Sequence, residues 1–228
     1  MYYTYSRKMK PIEMATIEKP QKQLLAPGTY PTQVTAVVFC GTHRGFEGQG
    51  SIHKYIMQHE VLGKTKPIGD KHVPENLAHW VAVKIGNNGE PRLFDSGKVR
   101  DYFEVMMGRK FVRGEKFDPS EVLGKKCYSK IEHDTKNGGE TYAKITKNFE
   151  LPDLPGGVDL PEANGPSYVY DVDKPDENVD LLAPYMIKQI NNSDERRSKP
   201  IKQEVTKEPV KQEVTNEPVK EEVIDDPF

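Results

Sequence analysis

Between Leu25 and Phe149 the chain alternates short β-type runs with turn residues, and beyond Leu151 that apolar periodicity stops. Pro27 and Gly28 form a turn ahead of Thr29–Phe39, a stretch rich in Thr, Val, Tyr and Phe that predicts a first strand. A glycine-rich segment, Gly41 to Gly50, predicts a mobile loop carrying His43, Arg44 and Phe46. Ile52–Leu62 predicts a second strand, with Ile52, Lys54, Ile56, Gln58 and Glu60 on one face and His53, Tyr55, Met57, His59 and Val61 on the other. Both faces are mixed, so the pattern does not say which is buried. Lys64–Glu75, broken by Pro67, Gly69 and Pro74, reads as a basic connecting loop.

Leu77–Ile85, with Trp80, predicts a third strand, and the turn Gly86-Asn87-Asn88-Gly89 leads into Pro91–Phe94. Ser96 offers an N-cap, after which Val99, Tyr102, Phe103, Val105 and Met106 recur at helical spacing until Gly108. Lys125–His133 and Thr141–Phe149 predict a second hairpin, joined through Asn137, Gly138 and Gly139. One of its faces reads as apolar and the other as aromatic and basic. The pattern therefore predicts a mainly β fold, a small antiparallel barrel with one helix over residues 25–152.

The flanks read differently. Residues 1–24 form a flexible arm in which Tyr2, Tyr3 and Tyr5 precede Arg7, Lys8 and Lys10. Residues 153–192 read as an irregular acidic linker, with a short amphipathic helix within Val179–Ile190. Residues 193–228 hold a nine-residue repeat: KQEVTKEPV from Lys202, KQEVTNEPV from Lys211 and KEEVIDDPF from Lys220. Repeats with Glu-Pro or Asp-Pro in each copy and almost no aromatics cannot bury a core, so they are expected to stay disordered and extended.

Composition adds a charge asymmetry that the total conceals. Residues 1–150 carry 24 Lys and Arg against 17 Asp and Glu, a balance of +7, while residues 151–228 carry 9 against 18, a balance of −9. A basic body beside an acidic tail is expected where one part meets a polyanion and the other stays off it. Cys40 and Cys127 stand alone, which argues against a zinc site or a disulfide framework and for a reducing compartment. No apolar run reaches membrane-spanning length. No cofactor is indicated, and a cytoplasmic location is expected.

Lysines interleaved with aromatics are the side chains that hold single-stranded nucleic acid, cations on phosphates and rings under bases. The candidate set is Lys54 and Tyr55 on the second strand, Trp80 on the third, Tyr128 and Lys130 on the fourth, and Tyr142 and Lys144 on the fifth. Arg44 and Phe46 would close over the bound strand. The six histidines are scattered, with no HExxH, P-loop or GxSxG. A metal-dependent nuclease would have to use carboxylates such as Asp95, Asp101 or Glu132, which capping and surface roles explain better, and a non-catalytic binder is preferred.

Gly124-Lys125-Lys126-Cys127, the Asn137-Gly138-Gly139 turn and Thr141-Tyr142-Ala143-Lys144-Ile145 resemble motifs of phage-encoded single-stranded DNA-binding proteins. Gly108-Arg109-Lys110-Phe111, Phe117-Asp118-Pro119 and Pro27-Gly28-Thr29-Tyr30 extend the resemblance over roughly 25–152, with departures at Gly139, Glu140 and 65–80. It implies an OB-fold-like barrel, coating of single-stranded DNA in phage replication or recombination, and the cytoplasm of an infected or prophage-bearing host cell. The closing Asp225, Asp226, Pro227 and Phe228 resemble the acidic Pro-Phe tip with which bacterial single-stranded DNA-binding proteins recruit replication and recombination proteins. The alternative weighed is a non-catalytic replication adaptor whose barrel binds protein; homo-oligomerisation is left open.

Overall fold

The computed structural model describes residues 24–45, 50–86, 91–93, 97–152 and 159–201. The expected arm over 1–23, the Asn87–Gly89 turn, Phe46, Asp95, Ser96, the repeats from Lys202 and the tip Asp225, Asp226, Pro227 and Phe228 lie outside those residues.

The chain is mainly β. It forms β1 (Gly28–Arg44), β2 (Ser51–Ile68), β3 (Lys71–Ile85), β4 (Pro91–Arg92), α1 (Lys98–Met107), β5 (Lys126–Thr135), β6 (Thr141–Phe149), β7 (Tyr168–Asp171) and α2 (Pro184–Asn191). The strands follow the spatial order β4-β3-β2-β1-β5-β6, antiparallel throughout, and β7 joins β1 in parallel. The sheet curls until β3 comes against β6, but no ladder joins them among the described residues. The barrel expected from sequence is thus left open, because α1 packs against β3, β5 and β6 where the ladder would close.

The inside of the curl is filled from α1 outward. Tyr102, Phe103 and Met106 meet Val34, Val37, Tyr55, Met57, Val81 and Val83, and Phe111 and Phe117 pack behind Phe103. Burying an aliphatic or aromatic side chain of this kind stabilises by about 1.5–3 kcal/mol. The helix opens at Gly97, φ 122, with no side-chain cap, not at a serine cap as the sequence suggests; it closes on the left-handed Gly108.

The segment expected as an irregular linker carries β7 and α2. Tyr168, Tyr170 and Val172 join Met186, Ile187 and Ile190 over Ala36, Val38, Cys40 and Ile56, on the sheet face opposite α1. The expected single helix over 179–190 is divided, because Pro184 can start a helix but not sit inside one. Its buried apolar residues, spaced 186, 187 and 190, fit one helix face. Hence both faces of β1 and β2 are covered, which resolves the mixed pattern of β2: neither face is solvent-facing along its central residues.

The basic connecting loop expected over 64–75 is the closing end of the β2–β3 hairpin. Thr65–Ile68 pairs with Lys71–Pro74, and a large bulge between Glu60 and Thr65 separates this ribbon from the body of the sheet. The loop prediction failed because prolines at 67 and 74 read as strand breakers, yet a ribbon with no further strand beside it has edge positions that need no donor.

Candidate nucleic-acid interface

On β5 and β6 the inward residues Cys127, Ser129, Ile131 and Ile145 are buried, so the intervening side chains point away from the core. Cross-strand register sets Tyr128 opposite Phe149, Lys130 opposite Lys147, Glu132 opposite Lys144 and Asp134 opposite Tyr142. Four predicted residues, Tyr128, Lys130, Tyr142 and Lys144, thereby share one face. Sequence alternation missed Lys147 and Phe149. A bulge beside Lys130 and Ile131 leaves Thr146 unpaired and reverses the face of every later residue on β6. Asn148, turned inward by the same bulge, donates to Ser129 Oγ at 2.9 Å.

The face is aromatic at both ends and cationic between them. Phe149 is 36% exposed, and Lys147 Nζ lies 5.0 Å from its ring centroid. Lys136 Nζ stands 5.4 Å from the ring centre of Tyr142. Lys130 bonds Glu132 at 2.7 Å, and Lys144 bonds Asp134. These partners hold the Glu132 and Asp134 carboxyls below their ordinary values, chiefly through the hydrogen bonds from Lys130 and Lys144. Surface pairs of this type are worth about 0–1 kcal/mol, so a phosphate can compete for either lysine. Lys147 has no acidic partner among the described residues. Two lysines directly opposite on an antiparallel pair weaken the pairing, by about 0.2–1 kcal/mol.

Beneath the face runs a buried polar chain. Tyr102 and His59 Nε2 are 3.1 Å apart, His59 Nδ1 and Thr32 Oγ1 3.3 Å, and Thr32 Oγ1 and Ser129 Oγ 2.7 Å. Burial pushes the Tyr102 hydroxyl well above its ordinary value, so it stays protonated and can pair with either tautomer of the neutral His59 ring. Burial holds His59 down to about 3, with His79 adding to the depression, and holds His79 itself down to about 4. His79 stacks on Tyr102 at 4.6 Å. This chain links β1, β2, β5 and α1 directly below the exposed lysines.

The remaining predicted residues are not gathered there. Tyr55 was expected to stack on a base but is core: it is 7% exposed and stacked on Phe39 at 4.9 Å, because the odd-numbered face of β2 is the one beneath α1. Trp80 is on the surface, 49% exposed, its ring 6.1 Å from Tyr185 of α2. Lys54, half-buried, lies on the same sheet face as Trp80, since Lys54 pairs with Ala82 and Ile56 with Trp80. Arg44 is exposed at the end of β1, and Phe46 lies outside the described residues. The Trp80–Tyr185 pair needs α2, and no local pattern in the chain places that helix beside β3.

An extended segment crosses the sheet between the two aromatic areas. Glu60, fully buried, accepts from the backbone N–H of Asn164 at 2.7 Å and Gly165 at 2.8 Å, and Lys126 bonds Glu162 at 2.7 Å. No cluster of three or more metal-ligating side chains occurs among the described residues, and none of their helices is long and apolar enough to cross a membrane. Compared with known protein families and with curated proteins, the chain matches none.

Proposed function

We propose that this protein binds single-stranded DNA without sequence preference through the outer face of β5 and β6, and coats the strand during phage replication or recombination. The observation that carries the reading is the outward-facing set Tyr128, Phe149, Lys130 and Lys147, two rings opposite each other beside two lysines opposite each other. Rings supply a π-face to any base, and the lysines sit where phosphates between stacked bases pass. Keeping like charges in register costs the hairpin stability, a cost that an anionic ligand removes. The buried chain from Tyr102 to Ser129 supports the reading further, since it stiffens the platform from below. The acidic tip Asp225, Asp226, Pro227 and Phe228 would recruit replication proteins while the platform holds DNA.

Fluorescence titration of the full chain with dT oligonucleotides at two salt concentrations tests this. Tyr128→Ala with Phe149→Ala should weaken binding at least about tenfold, given about 1–3 kcal/mol for each stacked base. Lys130→Ala with Lys147→Ala should flatten the log–log salt slope by about 1.4, about 0.7 for each single-strand phosphate that is no longer neutralised. Unchanged affinity in the aromatic pair would remove this face from the binding site. Deleting Asp225 to Phe228 should abolish capture of replication proteins without loss of DNA affinity.

A further inference from the structure

The ribbon formed by Thr65–Ile68 and Lys71–Pro74 pairs with no other strand among the described residues; Thr65, Pro67, Ile68, Lys71 and His72 are exposed, and none of its residues is buried. Its register places Ile68 opposite Lys71 and Lys66 opposite Val73, so these four share one face, while Pro67, His72, Thr65 and Pro74 share the other. Ile68 is 59% exposed at the very end of the ribbon, next to Pro67 and the left-handed turn residue Gly69. Residues 63–74 carry Lys64, Lys66 and Lys71 against the single acid Asp70, and Lys66 is tied at the base to Glu75 at 3.3 Å. The bulge that precedes the ribbon, with Gly63 at φ 70 and Pro161 packed 3.8 Å from where its Cβ would be, shifts its register from that of the rest of the β2–β3 ladder.

An aliphatic tip on a basic two-stranded ribbon has a different ligand chemistry from the β5–β6 face. Ile68 and Pro67 have no π-face on which an unstacked base could lie, so they add nothing to a single strand. Aliphatic residues and proline are the side chains that wedge between stacked base pairs in a groove, with neighbouring cations on the backbone. A two-stranded ribbon also has the cross-section that a duplex groove admits. We propose that this arm grips duplex DNA where it adjoins the bound single strand: Ile68 enters a base step at the junction, and Lys64 and Lys71 hold the flanking phosphates. The inference rests on the single-strand reading for its context but makes its own contacts, and it gives the protein a preference for junctions over free strands. Asp70 opposes that binding and occupies the turn.

The full chain is titrated with a dT strand, a blunt duplex and the same duplex carrying the dT strand as a tail, with 2-aminopurine at the junction step. The tailed duplex should bind about tenfold tighter than the tail alone, the weight of two phosphate contacts and a wedge, and 2-aminopurine emission should rise as the step opens. Ile68→Ser, a surface change, should abolish the emission rise, and Ile68→Ser with Lys71→Gln should erase the preference while leaving dT affinity unchanged. Asp70→Asn should strengthen junction binding. A wild-type protein without junction preference, or a preference that survives in the double variant, overturns the proposal. A lower sedimentation coefficient for Ile68→Ser than for the wild type, with junction preference intact, would overturn it in favour of a contact between copies. If dT alone is not bound while junction binding still depends on Ile68, the arm stands and the single-strand reading falls; normal dT binding with no dependence on Ile68 is the converse.

Discussion

Acidification to pH 5 should destabilise this protein through its buried histidines, and His79→Phe should remove about half of the share that His59 and His79 contribute. His59 and His79 lie beside Tyr102 with their folded values held down to about 3 and about 4, against 6.5 in an exposed chain. Both groups therefore bind protons in the unfolded state before they do in the folded one, and stability present above pH 6.5 is lost as the pH falls toward those values. At pH 5 each histidine contributes about 2 kcal/mol of destabilisation, about 4 kcal/mol together, against a typical total of about 5–15 kcal/mol. The mechanism is local: protonation places a charge on the His59 ring, which is fully buried. Buried His43 and partly buried His53, also held below their ordinary values by burial, act in the same direction. Phenylalanine at 79 keeps the ring on Tyr102 without a titrating group, so the difference between variant and wild type isolates one histidine. Urea unfolding followed by circular dichroism at pH 7.5, 6.5, 5.5 and 5.0 should give a gap between the two proteins that changes by about 2 kcal/mol from pH 7.5 to 5.0. A gap constant with pH would mean that His79 is hydrated in the folded state, and would refute buried histidines as the cause of acid unfolding.

Glu60→Gln leaves one carboxamide oxygen where two carboxylate oxygens accept from Asn164 and Gly165; it should cost about 1–3 kcal/mol and speed proteolysis within 159–166, and an unchanged cleavage rate would dismiss the clamp. Met186→Ala should lower stability by about 2–5 kcal/mol in the same urea assay, whereas a loss under about 1 kcal/mol would mean that α2 is not part of the core. Gly41→Ala combines φ 92 with a Cβ placed 2.5 Å from Glu195 Oε2, and a lowered thermal midpoint is expected; an unchanged midpoint would show the 193–195 segment giving way freely.

How much of this was legible depended on how local the signal was. The β5–β6 hairpin and α1 could be read because each carries its own instructions, a glycine-bearing turn in one and aromatics at helical spacing in the other. Tyr128, Lys130, Tyr142 and Lys144 fell on one face because their alternation runs unbroken as far as the bulge. Lys147 and Phe149 were hidden because an unpaired Thr146 reverses parity, and nothing in its side chain announces that it stands outside the ladder. Tyr55 was misplaced for a different reason: a tyrosine beside a lysine on a strand looks the same whether its face meets solvent or α1. Tyr168–Asp171 was hidden by surrounding prolines and acids, four strand residues being too few to stand out against an acidic background; α2 was legible as a helix, but its start at Pro184 was not. The arm at 65–74 was read as a loop because its prolines outweighed its pairing.

The central strands β1 and β2 form a wall common to two hydrophobic layers, with Val34, Val37 and Met57 on one side and Ala36, Val38 and Ile56 on the other. Neither layer can loosen without exposing the back of the other, so helix α1 and helix α2, far apart in the chain, melt as one cooperative unit. The amides of Ala36 to Val38 and of Ile56 and Met57 should consequently exchange with deuterium only through global unfolding, at a single shared rate.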